Sequence, residues 1–151
     1  MAFKPYDIPL DVNSRFHNAT AISSATTTNG TTIDLGAANQ YAKFAVVIDY
    51  SGLTVAGTNN ETYRFKVQIS DSSGFSSQHV VAERILGDKD ATANTHDTPA
   101  AGRVVMFADN VATFSSTDAN SIQACRYVRC QIVAGGTSPA VTVSAYLVPM
   151  P

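Results

Sequence analysis

The chain has 151 residues, a net charge of −2 and only 15% charged side chains, against roughly 25% in typical domains. That length suits one domain with a core of its own, and the charge argues against a nucleic-acid binder, which is usually basic. No stretch approaches the eighteen or so apolar residues of a membrane span.

The surface must therefore consist largely of Ser, Thr, Asn, Ala and Gly. Such a surface costs little to cover, which suits a chain packed against other proteins, although some secreted binding modules look similar. The N-terminus carries no apolar run of signal-peptide length. No membrane partner is expected.

Residues 1–17 mix Phe3, Tyr6, Ile8, Leu10, Val12 and Phe16 with Pro5 and Pro9 and show no clear period. Proline fixes φ and biases its predecessor to extended geometry, so an extended arm is predicted, folded back on its own domain or laid on a partner. Residues 18–151 are predicted to form a single β domain. Within 20–35, Asn29-Gly30 flanked by Thr and Ile predicts a hairpin.

Residues 41–50 place Ala42, Phe44, Val46, Ile48 and Tyr50 on one face, with Lys43 and Asp49 on the other. Residues 62–70 place Tyr63, Phe65, Val67 and Ile69 inward, with Arg64, Lys66 and Gln68 outward. Alternation of period two marks a half-buried strand. Residues 79–87 read as a strand of mixed facing or a short helix. Residues 88–102 read as a long polar loop, and 103–116 as two short strands.

Residues 125–148 form the most regular stretch. Val128, Cys130, Ile132 and Ala134 share a face, as do Val141, Val143, Ala145 and Leu147, with Gly135 to Ser138 between them as the predicted turn of a closing hairpin. If Cys125 and Cys130 occupy one strand they point to opposite faces, with Cα atoms about 16 Å apart. A disulfide needs under about 7 Å. Two free thiols are predicted, with Cys130 in the core. In all, eight to ten short strands argue for an antiparallel β-sandwich or barrel.

The best metal candidate is the loop at Asp88, Asp90, Thr92 and Asn94, which has alternating oxygen ligands. The calcium pattern then fails, because Ala93 replaces the required glycine and Pro99 replaces the bidentate glutamate. His17, His79 and His96 lack zinc-ligand spacing, and neither a nucleophile elbow nor a phosphate-binding loop is present. No metal, no cofactor and no enzymatic activity are expected. Asn18, Asn29 and Asn60 begin glycosylation triplets that read as chance in a Thr-rich chain. The outward stripe of Arg64, Lys66 and Arg129 reads equally as a contact for acidic partner surface or as solvated charge that discourages strand pairing. Tyr127 and Tyr146 on outward faces suggest interface residues, because aromatic side chains and Arg are enriched there.

Three segments together carry a resemblance. ATAISSATTTNGTTIDLGAANQY resembles the opening hairpin of phage head cement proteins, with a Ser/Thr/Ala-rich strand leading to an Ile-Asp-Leu-Gly step. YRFKVQISDSSGFSS resembles their central strand and turn. RYVRCQIVAGGTSPAVTVSAYL resembles the closing hairpin common in tailed-phage structural proteins, with its RYVR opening and GTSP turn. The similarity covers most of the chain from residue 19 onward. It implies a jelly-roll domain on the outside of a tailed-phage head that binds across neighbouring major capsid subunits as a homodimer or homotrimer. A minor tail or baseplate protein and a carbohydrate-binding β-sandwich are the alternatives, although the chain has no Trp for a sugar platform.

Overall fold

The structure, a computed structural model, describes residues 14–36, 40–55, 60–87, 99–113 and 122–151. It is built from β-strands: β1 (Arg15–Ile22), β2 (Thr26–Asn29), β3 (Ile33–Asp34), β4 (Lys43–Ser51), β5 (Thr62–Ser70), β6 (Gln78–Gly87), β7 (Gly102–Asp109), β8 (Val111–Thr113), β9 (Ile122–Ala124), β10 (Tyr127–Gly135) and β11 (Val141–Met150). No α-helix occurs among the described residues.

Sheet I has the order β1-β11-β4-β7. Sheet II has the order β2-β10-β5-β6, with β3 also pairing β10, and β8 and β9 form a small separate hairpin. Every pairing is antiparallel, and the main pairs are nested in the chain: β1 with β11, β2 with β10, β4 with β7, β5 with β6. The two sheets pack into an all-β sandwich around one core. Phe44, Val46, Ile48, Val143 and Leu147 of sheet I meet Tyr63, Phe65, Val67, Ile69, Val128 and Ile132 of sheet II, as the alternation predicted.

The expected closing hairpin is not one. β10 lies in sheet II and β11 in sheet I, so Gly135 to Ser138 crosses between the sheets. Alternation reads the same in either arrangement, because each strand has one buried face. Asn60 and Glu61 clamp the crossing: Asn60 Oδ1 accepts the Thr137 N–H at 3.1 Å, and Glu61 Oε1 accepts the Ser138 N–H at 3.2 Å. The Tyr63 hydroxyl donates to the Thr54 carbonyl at 2.5 Å and accepts the Ala140 N–H at 3.0 Å, fixing the start of β11.

The hairpin expected over 20–35 is likewise absent: β2 and β3, on either side of Asn29-Gly30, both pair β10 rather than each other, and β1 lies in the other sheet. Gly30 falls between β2 and β3, two pieces of the flank of sheet II. Its N–H donates to the Cys130 carbonyl at 2.8 Å, and a Cβ there would lie 2.8 Å from the His17 ring. The glycine provides space rather than a turn.

Strand β1 begins at Arg15, so the sandwich takes in Arg15, Phe16 and His17, which the sequence placed in the arm. Phe16 and His17 are both buried. Two register shifts against β11, with Ala19 at φ +48°, break the alternation that would have revealed the strand. A bulge opposite Val67 and Gln68 explains the mixed facing of β6, which is a strand and not a helix. Both cysteines are free and both are buried. Cys125 lies before β10 starts and joins the same core as Cys130, rather than facing away from it. Residues 1–13 and 88–98, with Phe3, Tyr6, Ile8, Leu10 and the failed calcium loop, lie outside the described residues.

Candidate functional site

The outer face of sheet I departs from the usual pattern. An antiparallel sheet with one wet face alternates apolar and polar residues. Here the alternation fails at Ala45-Val46-Val47, at Val104 to Phe107 and at Leu147-Val148. The register aligns the outward residues of these strands into rungs. Val148, Ala45 and Phe107 form one, and Tyr146, Val47 and Val105 form the next. Ala45, Val47 and Val148 pack as a small cluster of their own, separate from the core. Around them Phe107 is 69% exposed, Tyr41 58%, Val105 42% and Met150 40%.

Polar rungs bound this patch at both ends. On one side Lys43 lies between Asp109 and Met150 in the register. On the other, Arg103 donates from Nε and Nη2 to the two carboxylate oxygens of Asp49, at 2.6 and 2.8 Å. The Arg15 guanidinium lies over the Tyr146 ring, 5.5 Å from its centre, at the β1 margin. Two shallow concavities flank Lys43. One is lined by Phe107, Ala108, Asp109, Val111 and Val81, the other by Tyr41, Ala42, Pro149, Met150 and Pro151. An apolar centre with a polar rim is the anatomy of a protein-binding surface.

The outer face of sheet II is different. A hydrogen-bonded chain crosses four strands. Arg129 donates to Gln78 Oε1 at 2.6 Å and to Gln68 Oε1 at 2.8 Å, Gln68 donates to Gln131 at 3.3 Å, and Gln131 donates to Asn29 at 2.8 Å. The Arg129 guanidinium also lies 4.1 Å from the centre of the Phe75 ring, and partial burial lowers its pKa. Arg64 pairs with Glu83 at 3.1 Å. Arg126 grips Asp34 through two bonds of 2.8 and 2.6 Å and holds that carboxyl down to about 2. This face is knitted together by its own side chains.

The nine candidate contact residues are thus divided. Arg64, Lys66, Tyr127 and Arg129 sit on sheet II, with Arg129 engaged within the domain. Tyr146 sits on sheet I inside the apolar patch. Phe3, Tyr6, Ile8 and Leu10 fall outside the described residues. Val105, Phe107, Tyr41 and Met150 were not singled out from the sequence. The signal that could have found Val105 and Phe107 was the loss of alternation in β4 and β7. No group of three or more His, Cys, Asp or Glu side chains placed to hold a metal ion occurs among the described residues. A scan against protein-family models and a search of curated proteins both return no match.

Proposed function

We propose that the chain is a structural cement protein of a tailed-phage head that docks on the major capsid protein through the outer face of sheet I. The carrying observation is the two-rung apolar patch with charged ends, presented on a four-stranded sheet. A partner of matching shape gains the burial of Phe107, Val105, Met150 and Tyr41 and need not desolvate unpaired charge at the centre. Full burial of such side chains stabilises by roughly 1.5–3 kcal/mol each.

Other features agree with this reading. Eight strands in nested antiparallel pairs, assigned alternately to two sheets, are what two Greek keys produce, and this supports a jelly roll. The sparse surface charge suits a domain covered on more than one side. The resemblance over the segments from residue 19 onward supplies the phage context. The first described strand begins at Arg15, beside Tyr146 at the margin of the same face, and an anchoring role for the residues before it goes with this reading.

The test is cosedimentation of the purified chain with heads assembled from the major capsid protein of the same phage, followed by imaging. Decoration on the outer surface, with DNA-filled heads holding their DNA to higher temperature, is the expected result. A chain that ignores heads but sediments with tails or binds polysaccharide would overturn it.

A further inference from the structure

The two sheets have four edges, and three of them are interrupted. β1 slips register twice against β11. β2 and β3 are four and two residues long with a gap between them. β6 carries a bulge and the charged pair Glu83 and Arg84. Such devices stop exposed backbone groups from recruiting another strand. β7 has no slip, gap or bulge, and its charged residues, Arg103 and Asp109, lie towards its ends. It runs eight residues, contains no Pro or Lys, and follows β4 from Gly102 to Asp109 without a register shift. Among the described residues it pairs with β4 alone.

We propose that β7 pairs antiparallel with β7 of a second copy about a two-fold axis normal to the sheet, joining two four-stranded sheets into one of eight. The outward residues of β7 are self-complementary in reverse: Arg103, Val105, Phe107, Asp109. With Met106 opposite its own counterpart, Arg103 meets Asp109 of the second copy and Val105 meets its Phe107. Opposite charges and aromatic–β-branched pairs are favourable cross-strand neighbours. Sliding the register by two residues either way sets Val105 against Val105 or Phe107 against Phe107 and loses both charge pairs.

The flanking strand extends the match. Lys43 neighbours Asp109, and Asp49 neighbours Arg103, in the β4–β7 register. Pairing two copies therefore builds a rung running Lys43, Asp109, Arg103, Asp49, with signs alternating across the junction, on each side of an apolar middle. Arg103 keeps its bonds to Asp49 while gaining a second carboxylate neighbour. The apolar rungs also become continuous, from Val148, Ala45 and Phe107 of one copy to Val105, Val47 and Tyr146 of the other. The occupant that satisfies both the edge left unpaired among the described residues and the charge order is a second copy of this chain.

This pairing stands independently of what the outer face binds. The experiment is sedimentation of the full chain over a dilution series, beside Val105→Lys, with circular dichroism to verify folding. A two-subunit mass is expected for the full chain, and dissociation at least about tenfold easier for the variant. The register is read by mixing Val105→Cys chains with Phe107→Cys chains under mild oxidation. Disulfide-linked dimers should form in the mixture well above either variant alone, and this readout decides the matter if Val105→Lys fails to fold. A monomeric or trimeric full chain, a dimer untouched by folded Val105→Lys, or no excess cross-linking in the mixture would overturn the proposal. A monomer would leave the docking face intact, whereas a dimer that ignores heads would sink the docking reading alone.

Discussion

His17, on the flank of sheet I, donates its Nε2 hydrogen to the backbone carbonyl of Cys130 in sheet II, at 3.0 Å. The same ring places Nδ1 3.3 Å from the Thr20 hydroxyl, which donates to it. Both bonds are made by the neutral ring. Burial holds the His17 pKa below its usual 6.5, outweighing the bond to Cys130, which pulls the other way. The unfolded chain therefore takes up a proton that the folded chain resists. This contribution to stability is present above about pH 6.5 and is lost as the pH falls below that value. The urea midpoint should drop between pH ~7.5 and pH ~5.5, and His17→Gln should flatten that drop. The Asp34 carboxyl, held down to about 2, acts in a separate window: its contribution is present above 3.8 and is lost as the pH falls towards 2.

The two thiols should be silent in the native protein. Burial pushes Cys130 up to about 12, and burial with the nearby charge of Asp71 pushes Cys125 up to about 11. Thiolate is the reactive form, so neither should react with a disulfide reagent at mildly alkaline pH. In denaturant without reductant, two equivalents should react at once. One equivalent or none in the denatured chain would contradict the free thiols.

Much of the core was legible because alternation depends only on having one buried face. Phe65, Val67, Ile132 and Val143 could be placed inward from period two alone. Which strand pairs with which was not legible, since β10 and β11 alternate identically whether they share a sheet or face each other across the core. β1 was hidden by its two register slips and by the positive φ of Ala19. The apolar outer patch was missed for a related reason: Val105 and Phe107 read as part of a short strand, and the apolar residues on both faces of β7 were the sign that its outer face is apolar too.

Asn110 should prove a structural pin. Its Oδ1 accepts the Ala42 N–H at 2.8 Å, and its Nδ2 donates to the Gln40 and Cys125 carbonyls at 2.7 Å each. These bonds tie the start of the β8–β9 hairpin to the approach of β4 and the approach of β10. Asn110→Leu keeps the volume but strands three backbone groups. A loss on the order of 3 kcal/mol in urea unfolding is expected, since each buried group left unpaired costs about 1–3 kcal/mol. A loss under about 1 kcal/mol would show that water replaces the side chain.

Two glycines with nearly the same φ should respond differently to alanine. Gly36 has φ +109° and open space around its would-be Cβ. Gly136 has φ +104°, and a Cβ there would lie 2.6 Å from the Asn60 carbonyl oxygen and 2.7 Å from the Glu61 Cα. Gly36→Ala should cost only the backbone strain, about 1–2 kcal/mol. Gly136→Ala adds a collision with backbone at the crossing between the sheets and should cost clearly more. Equal losses in thermal unfolding would mean that the crossing can shift without strain.

The sharpest contrast lies between the two outer faces. Met150→Glu with Tyr41→Glu places charge at the end of the sheet I patch remote from β7, so the β7 edge is left intact. Both side chains are largely exposed, and such surface changes usually move stability by no more than about 0.5 kcal/mol. On a capsid they would be buried, and replacing two apolar contacts with unpaired charge should weaken decoration at least about a hundredfold. Arg64→Ala with Lys66→Ala strips charge from sheet II, where Arg64 loses only an exposed ion pair worth about 1 kcal/mol or less. That variant should decorate heads as tightly as the parent chain. The measurement is the concentration for half-maximal decoration, read by cosedimentation for the three proteins side by side. If the glutamates leave it unchanged and the alanines abolish it, sheet II faces the capsid and the apolar rungs serve another partner.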